Sequence, residues 1–423
     1  MNIRRYKPEL ISLKSRPLRV LIIADSFLPY IDGVARVIEN YAEQFEQKNV
    51  DYRILAPRYK LADLSVDEKY KGKIIRLKTS RLKWGSYEVF KFPIINEEQQ
   101  LIDDFDPDIV HAHSPFVAGK IAVSLKNRYN IPIVFTMHKN FKQSVILATN
   151  SDLFGTLSGF LMNQFTRQID HIFYVSNSSM KLNNFSDSIM QSVVGDGTKF
   201  KYTENSSDLA KKAIAKFNID TAKHNLLFIS KFIWEKNIKL LLDSFKTLLT
   251  VDKNYSLTMV GGDWNFDEII EYAKELEIYK YINFTGWVND EDLLKGLYLS
   301  HDLLISPSIL DTFGLVVHEA ASQGIASLVI KNSPSSEGII DGENGYVTTQ
   351  HEKQMADKII EIFKNKHRLK VVGKNAMSLT KEWGEVIDIS IEKYIETIKL
   401  FYEKDRIKRL KKVAEQVRAK FKK

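Results

Sequence analysis

Apolar residues along this chain alternate between two rhythms: short β-branched runs, and longer stretches with apolar positions three or four apart. The short runs read as strands at Arg19–Ala24, Tyr52–Ala56, Ile74–Leu77, Ile109–His111, Ile133–Thr136 and His171–Val175, with Ser192–Val194 closing the set. Strands buried on both faces give near-continuous apolar runs of this kind, and parallel sheets supply such burial. Between them lie amphipathic helical stretches such as Ala35–Gln47 and Phe116–Tyr129. A polar segment from Gly195 to Asp208 reads as a connection. The rhythm then restarts with Leu226–Ile229, Ser256–Val260, Ile282–Thr285, Leu303–Ser306 and Ser327–Ile330. The pattern predicts an α/β protein of two doubly wound domains, residues 1–200 and 201–383, facing a cleft. Residues 384–423 read as helices whose placement periodicity leaves open; packing back on the first domain is one arrangement they allow.

A length of 423 residues, with 44% hydrophobic and 27% charged positions, fits two globular domains. No apolar run approaches the ~18 residues of a membrane span, and no secretory signal is visible. Cysteine is absent, which excludes disulfides and thiolate metal sites and agrees with a cytoplasmic setting. The formal charge of +8 is concentrated: residues 401–423 hold ten Lys/Arg against three acids, a local +7. The nearly neutral body argues against a nucleic-acid channel, and the tail points to an anionic partner. Within the tail, Ile407, Leu410, Val413, Val417 and Phe421 recur at helical steps among the cations. A basic amphipathic helix of that kind is expected to lie peripherally on an anionic membrane surface. The competing reading is a solvated helix packed on the first domain. Arg4, Arg5, Lys7, Lys14, Arg16 and Arg19 form a smaller basic cluster near the start.

Four segments carry candidate chemistry. The richest is SPSILDTFGLVVHEAASQG, Ser306 to Gly324. It reads as a strand end, a loop, and a helix starting near Thr312 or Phe313, with Thr312 as its cap. First-turn amides around Phe313, Gly314 and Leu315 would make an anion site, and Gly314 would let a ligand approach the backbone. Were Asp311 and Glu319 both helical, they would lie ~12 Å apart and within ~80° of one another, suiting two ends of an extended ligand. In ISKFIWEKNIKLLLDSF, Ile229 to Phe245, Lys231 and Lys236 fall between a strand end and the next helix, where cations would meet a diphosphate. In FLPYIDGVARVIENYAEQF, Phe27 to Phe45, Gly33 precedes an amphipathic helix, and the segment is not a GxGxxG dinucleotide loop. In PDIVHAHSPF, Pro107 to Phe116, His111 lies near a strand end and His113 just beyond, in reach of a sugar hydroxyl or a moving proton. His138, after the next strand, is a weaker acceptor-side candidate. Asp104 and Asp106 imitate a metal-binding Asp-x-Asp but sit in a solvated turn before a strand.

These segments, in this order, resemble family 4 glycosyltransferases, retaining enzymes of the GT-B fold. The matches are IDGV at Ile31–Val34, HAHSPF at His111–Phe116, SKFIWEKN at Ser230–Asn237 and DTFGLVVHE at Asp311–Glu319. They are joined by NFTGWV at Asn283–Val288 and EGIIDGENGYV at Glu337–Val347. The resemblance implies that Glu319 holds ribose hydroxyls and that Asp311 and the Phe313–Leu315 backbone hold the transferred sugar. It implies Lys231 and Lys236 on the diphosphate, Gly33 approaching the phosphates, His113 near the sugar, and the backbone of Gly286, Trp287 and Val288 at the base. Thr312 completes the donor-binding set. No cofactor or metal is implied beyond the nucleotide sugar, UDP-hexose in this reading.

Two positions depart from the pattern. Lys231 stands where the family has Arg, keeping charge but losing the bidentate fork. Asp311 replaces the first Glu, shortening the reach by roughly 1.5 Å. The HAHSPF, His138 and SSEGIIDGENGYV segments and the basic tail are most similar to bacterial diacylglycerol glucosyltransferases. That implies hexose transfer, from UDP-glucose, to a membrane lipid. Rival readings are the same fold acting on a soluble or polyprenyl-linked saccharide, a UDP-sugar 2-epimerase, or a donor-binding subunit without catalysis. Base, hexose, acceptor and oligomeric state are not fixed by these residues.

Overall fold

Both apolar sets form parallel sheets in the computed structural model. It describes residues 16–420 apart from 31, 61–62, 85–86, 92–93, 141–144, 147–150, 184 and 201–205, and does not describe the side chains of 81–89 and 408–420. Ile31, Arg4, Arg5, Lys7 and Lys14 lie outside the described residues, as do the side chains of Leu410, Val413, Val417 and Phe421.

The chain divides into two compact units. The first comprises Met1–Val175, Met180–Gly195 and Trp383–Lys423; the second comprises Ser176–Ser179 and Asp196–Glu382. In the first, β1 (Leu18–Ile23), α1 (Gly33–Gln47), β2 (Val50–Pro57) and β3 (Ile74–Leu77) are followed by an antiparallel pair, β4 (Thr79–Trp84) and β5 (Tyr87–Phe90). Then come α2 (Asn96–Phe105), β6 (Ile109–Ala112), α3 (Val117–Tyr129), β7 (Ile133–Met137), α4 (Asp152–Thr166), β8 (His171–Tyr174), α5 (Asn177–Leu182), whose first three residues belong to the second unit, and β9 (Met190–Val193). Seven strands pair in the order β3-β2-β1-β6-β7-β8-β9. The hairpin was not anticipated, because its alternation is too short to stand out from loop.

The second unit runs α6 (Ser206–Phe217), β10 (His224–Ile229), α7 (Ile238–Val251), β11 (Tyr255–Val260), α8 (Phe266–Glu275), β12 (Ile282–Gly286) and α9 (Glu291–Leu299). It continues with β13 (Leu303–Ser306), α10 (Leu315–Ser322), β14 (Ser327–Ile330), β15 (Tyr346–Thr348), α11 (Glu352–Phe363) and α12 (Lys366–Ala376). Six strands pair in the order β12-β11-β10-β13-β14-β15. α6 takes the end of the segment read as a polar connection.

Residues from Trp383 form one helix, α13 (Trp383–Lys420), rather than several. Its first half is core of the first unit: Trp383, Val386, Ile387, Tyr394 and Ile398 are buried with Tyr41 and Phe45 of α1. The Tyr41 and Ser390 hydroxyls share a buried hydrogen bond of 2.8 Å. Arg16 grips Asp108 through two bonds of 2.8 and 2.6 Å, and Arg19 pairs with Asp106 at 3.5 Å, so these two cations brace the unit. Among the described residues no helix is long and apolar enough to cross a membrane.

Candidate functional site

In each sheet the strand order reverses once, between β1 and β6 and between β10 and β13. Loops leaving neighbouring strands at such a point diverge, opening a crevice beyond the carboxyl ends where ligands bind. Most of the candidates lie beyond these strand ends; His138 follows β7, and Gly286, Trp287 and Val288 lie at the end of β12.

Beyond β1, Asp32 caps α1 by accepting a 2.7 Å hydrogen bond from the Ala35 amide, and Ser26 donates to its other oxygen at 2.8 Å. Gly33 is therefore the first residue of the helix rather than the one before it. A Cβ built on Gly33 would meet nothing within 4 Å, so its backbone faces open space. Asp25, at the end of β1, accepts from the Ala118 amide at 2.9 Å. Its other oxygen is buried without a hydrogen-bond partner, and burial pushes its pKa up to about 6.

Beyond β6, His111 is core. Its Nε2 meets the Thr136 hydroxyl at 2.6 Å and its Nδ1 the Tyr394 hydroxyl at 2.6 Å. His113 Nδ1 lies 2.9 Å from His138 Nε2, with the rings stacked at 5.1 Å, while His113 Nε2 is buried with no partner. Burial, then the neighbouring imidazoles, holds His113 well below the ordinary histidine range; burial lowers His138 to about 4. Both are neutral at pH 7, so the pair shares one N–H, and His113 Nε2 offers a lone pair or a proton according to tautomer. The pairing of His113 with His138 has no local sequence signal.

In the second unit, the loop after β10 carries Lys231 and a turn of 3₁₀ helix, Trp234–Lys236. Asn237 donates to the Pro307 carbonyl at 3.2 Å, tying this loop to the one leaving β13. Lys236 pairs with Asp311 across the strand-order reversal, while Lys231 approaches Asp263 at 3.7 Å. All four side chains keep part of their surface in solvent. In the first unit, Asp104 accepts from Gln100 and Asp106 ends α2. Among the described residues no group of three or more metal-ligating side chains is placed to hold an ion.

The helix after β13 starts later than its sequence indicated. α10 runs Leu315–Ser322, and its N-cap is Gly314 in the left-handed region at φ 78°, not Thr312. Asp311 therefore lies in the loop, and the shared-face argument that treated it as helical does not apply. Gly314 is required for its positive φ and because a Cβ would come within 2.5 Å of Ser335 Oγ. The Thr312 carbonyl accepts from Ser176 at 2.6 Å. Phe313 stacks on His318 at 4.0 Å, and His318 Nδ1 meets the Leu379 carbonyl at 3.1 Å. The first-turn amides of α10 still point out of the helix, as those of every helix do.

Glu319, one turn into α10, accepts a 2.6 Å hydrogen bond from Tyr298 of α9. Tyr298 is fully buried, and burial and then Glu319 drive its pKa far up, so it remains a donor. Sequence reading missed Tyr298, which is one aromatic on an ordinary helical face. β12 ends at Gly286, whose φ is 69° and whose carbonyl accepts from the Gly261 amide at 2.9 Å. Trp287 follows, its indole so close to Gly262 that a Cβ there would lie 2.8 Å from Nε1. Val288 packs against the core beneath α9.

Two family models match: Glycosyltransferase Family 4 over residues 31–182 and Glycosyl transferases group 1 over residues 210–378. The alpha-monoglucosyldiacylglycerol synthase of Streptococcus pneumoniae is 22% identical over 81% of this chain and 78% of the relative. That of Acholeplasma laidlawii is 22% identical over 88% and 94%. The crystal structure of HepE from Anabaena, in complex with UDP and glucose, superposes with a TM-score of 0.69 over 89% of this chain and 99% of that one. At 14% identity this is a likeness of fold. Two parallel sheets of seven and six strands, each doubly wound, are the GT-B arrangement.

Proposed function

We propose, from the premise that this chain is a retaining family 4 glycosyltransferase of the GT-B fold, that it moves glucose from UDP-glucose to a membrane lipid such as diacylglycerol on the cytosolic face. The observation that carries the reading is the cluster where β10 and β13 part: Lys236 against Asp311, Lys231 beside it in the same loop, and the open end of α10 behind.

In this reading the α10 amides and the two lysines take the diphosphate, whose negative charge grows as its bond to the sugar breaks. Glu319, fixed by Tyr298, accepts from the ribose hydroxyls. Asp311 and the Phe313–Leu315 backbone orient the sugar, and Thr312 completes the loop that holds it. Gly286, Trp287 and Val288 flank the base. Within the first unit, Gly33 leaves open backbone at the head of α1 for a phosphate, His113 keeps Nε2 for a hydroxyl of a bound sugar, and His138 fixes the His113 ring. The anomeric C–O bond breaks with its electron pair going to the β-phosphate. The acceptor hydroxyl bonds the same face of that carbon, and its proton passes to the departing phosphate. Configuration is thereby retained. The departures at Lys231 and Asp311 keep the charge pattern this chemistry needs.

The test is a transfer assay with radiolabelled UDP-glucose and vesicles containing diacylglycerol. Label is expected in the lipid extract. Label recovered only in a soluble or polyprenyl-linked saccharide would move the acceptor to that class. Epimerised donor without any acceptor would replace transfer by epimerisation.

A further inference from the structure

α4 turns a greasy face to solvent. Leu153, Phe154, Leu157, Phe160 and Leu161 are each more than half exposed, whereas Gly155, Met162, Phe165 and Thr166 are buried. At ~100° per residue the five exposed side chains fall in a stripe about 120° wide. The helix is firmly seated on its other side. Phe165 packs edge-on to Phe135 at 5.1 Å and occupies space that a Cβ on Gly119 of α3 would invade, at 2.7 Å. Leu153 to Thr166 contains no charged residue. A contiguous apolar patch of this kind marks an interaction surface.

Area and charge identify the occupant. A helix of 15 residues is ~22 Å long and ~10 Å wide, so two copies meeting face to face would bury about 440 Å² in total, far below the ~1,200 Å² of a stable dimer. An exposed acid, Asp152, opens the helix, and an exposed cation, Arg167, follows its end. The basic end of α13 departs from beside its C-terminus: Lys126 donates to the Gln168 carbonyl at 2.9 Å and to Asp170 at 2.7 Å, and lies 5.4 Å over the Phe401 ring. An uncharged apolar stripe with cations gathered at its C-terminal end matches an anionic bilayer, with the stripe at the acyl boundary and those cations among the headgroups.

We infer that α4 is the apolar docking face with which the first unit sits on an anionic lipid bilayer, with the basic end of α13 as its electrostatic companion. The inference rests on the lipid-acceptor reading and names the surface that reaches the lipid.

The test compares the full chain with a Leu157→Ser/Phe160→Ser/Leu161→Ser variant in flotation with phosphatidylglycerol–phosphatidylcholine vesicles. Partitioning should fall at least ~10-fold with an unchanged melting temperature, because the three side chains are already exposed. A Phe160→Trp variant should shift its emission to the blue on vesicle addition and be quenched by brominated acyl chains. Unchanged partitioning, an unmoved emission from the Phe160→Trp variant, or a wild-type dimer that the triple variant converts to monomer would overturn the docking face. Transfer to diacylglycerol in detergent micelles separates the two readings. Micellar product with α4-independent vesicle binding sinks the docking face alone; α4-dependent binding with no lipid product sinks the acceptor alone.

Discussion

Where β1 and β6 part, the polar groups are buried and the histidines neutral: His111 is locked between Thr136 and Tyr394, and His113 leans on His138, while Asp25 keeps one oxygen unsatisfied. Where β10 and β13 part, they are charged and only partly buried: Lys236 with Asp311, Lys231 with Asp263. The same topological feature thus supports two chemistries. A neutral network held by burial fixes geometry and is costly to disturb, since each lost partner leaves a desolvated group behind. An ion pair that keeps part of its surface in solvent adds less stability than its contact distance suggests. It keeps charge available for a ligand that outcompetes the partner.

The largest expected effect tests that division directly. Lys236→Ala should lower kcat/KM for glucose transfer by about 10³-fold, the range for removing a donor aimed at developing charge. Its melting temperature should fall by no more than ~2–4 °C, because both partners keep part of their surface in water and Asp311 can be solvated when Lys236 is gone. Kinetics and a thermal melt on the same sample decide it. A large fall in melting temperature with modest loss of rate would mean that the second cluster, too, is structural.

What the sequence made legible follows the same line. Strands buried on both faces announce themselves as apolar runs, and those of both sheets were located to within about two residues, the usual ambiguity of element ends. β15, at a sheet edge and only three residues long, was missed. Candidate site residues were legible where chemistry is attached to a strand end, as with His113, Lys231 and Asp311. Their partners were not. Tyr298 meets Glu319 across 21 positions and His138 meets His113 across 25, and no periodicity links such pairs. The cap of α10 was assigned to Thr312 because composition favours a hydroxyl there. Backbone conformation instead selected Gly314, and φ is invisible to a pattern of apolar spacing.

Tyr298→Phe sharpens the comparison at intermediate size, since it puts a buried donor under a charged group. Removing the hydroxyl takes away one of the bonds that hold Glu319 in the geometry that accepts two ribose hydroxyls. KM for UDP-glucose should rise about 5- to 10-fold with kcat changed less than twofold, the size of one ordinary hydrogen bond, because Tyr298 acts on the donor only through Glu319. Initial rates over a donor series give both numbers. A fall in kcat with unchanged KM would place Glu319 in the chemical step rather than in donor binding.

The smallest effect concerns pH and belongs to the neutral side. His171 is buried between Thr397 of α13 and Ser192 of β9, at 2.8 and 2.9 Å, and burial lowers its pKa to about 4. The folded state therefore binds its proton more weakly than the unfolded chain, whose histidines titrate near their ordinary ~6.5. The stability it contributes is complete above about 6.5 and is lost as pH falls from there towards about 4. Asp25, raised to about 6, runs the other way over the lower part of that window: the fold favours its protonated form, so its contribution grows as pH falls. His171→Gln keeps a hydrogen-bonding side chain between the same hydroxyls but cannot charge. It should flatten the loss of stability between pH 7 and pH 5 by roughly 1–2 kcal/mol while leaving transfer at pH 7.5 nearly unchanged. Denaturant titrations of both proteins at the two pH values measure that difference. An equally steep pH dependence in the variant would remove His171 from the neutral network.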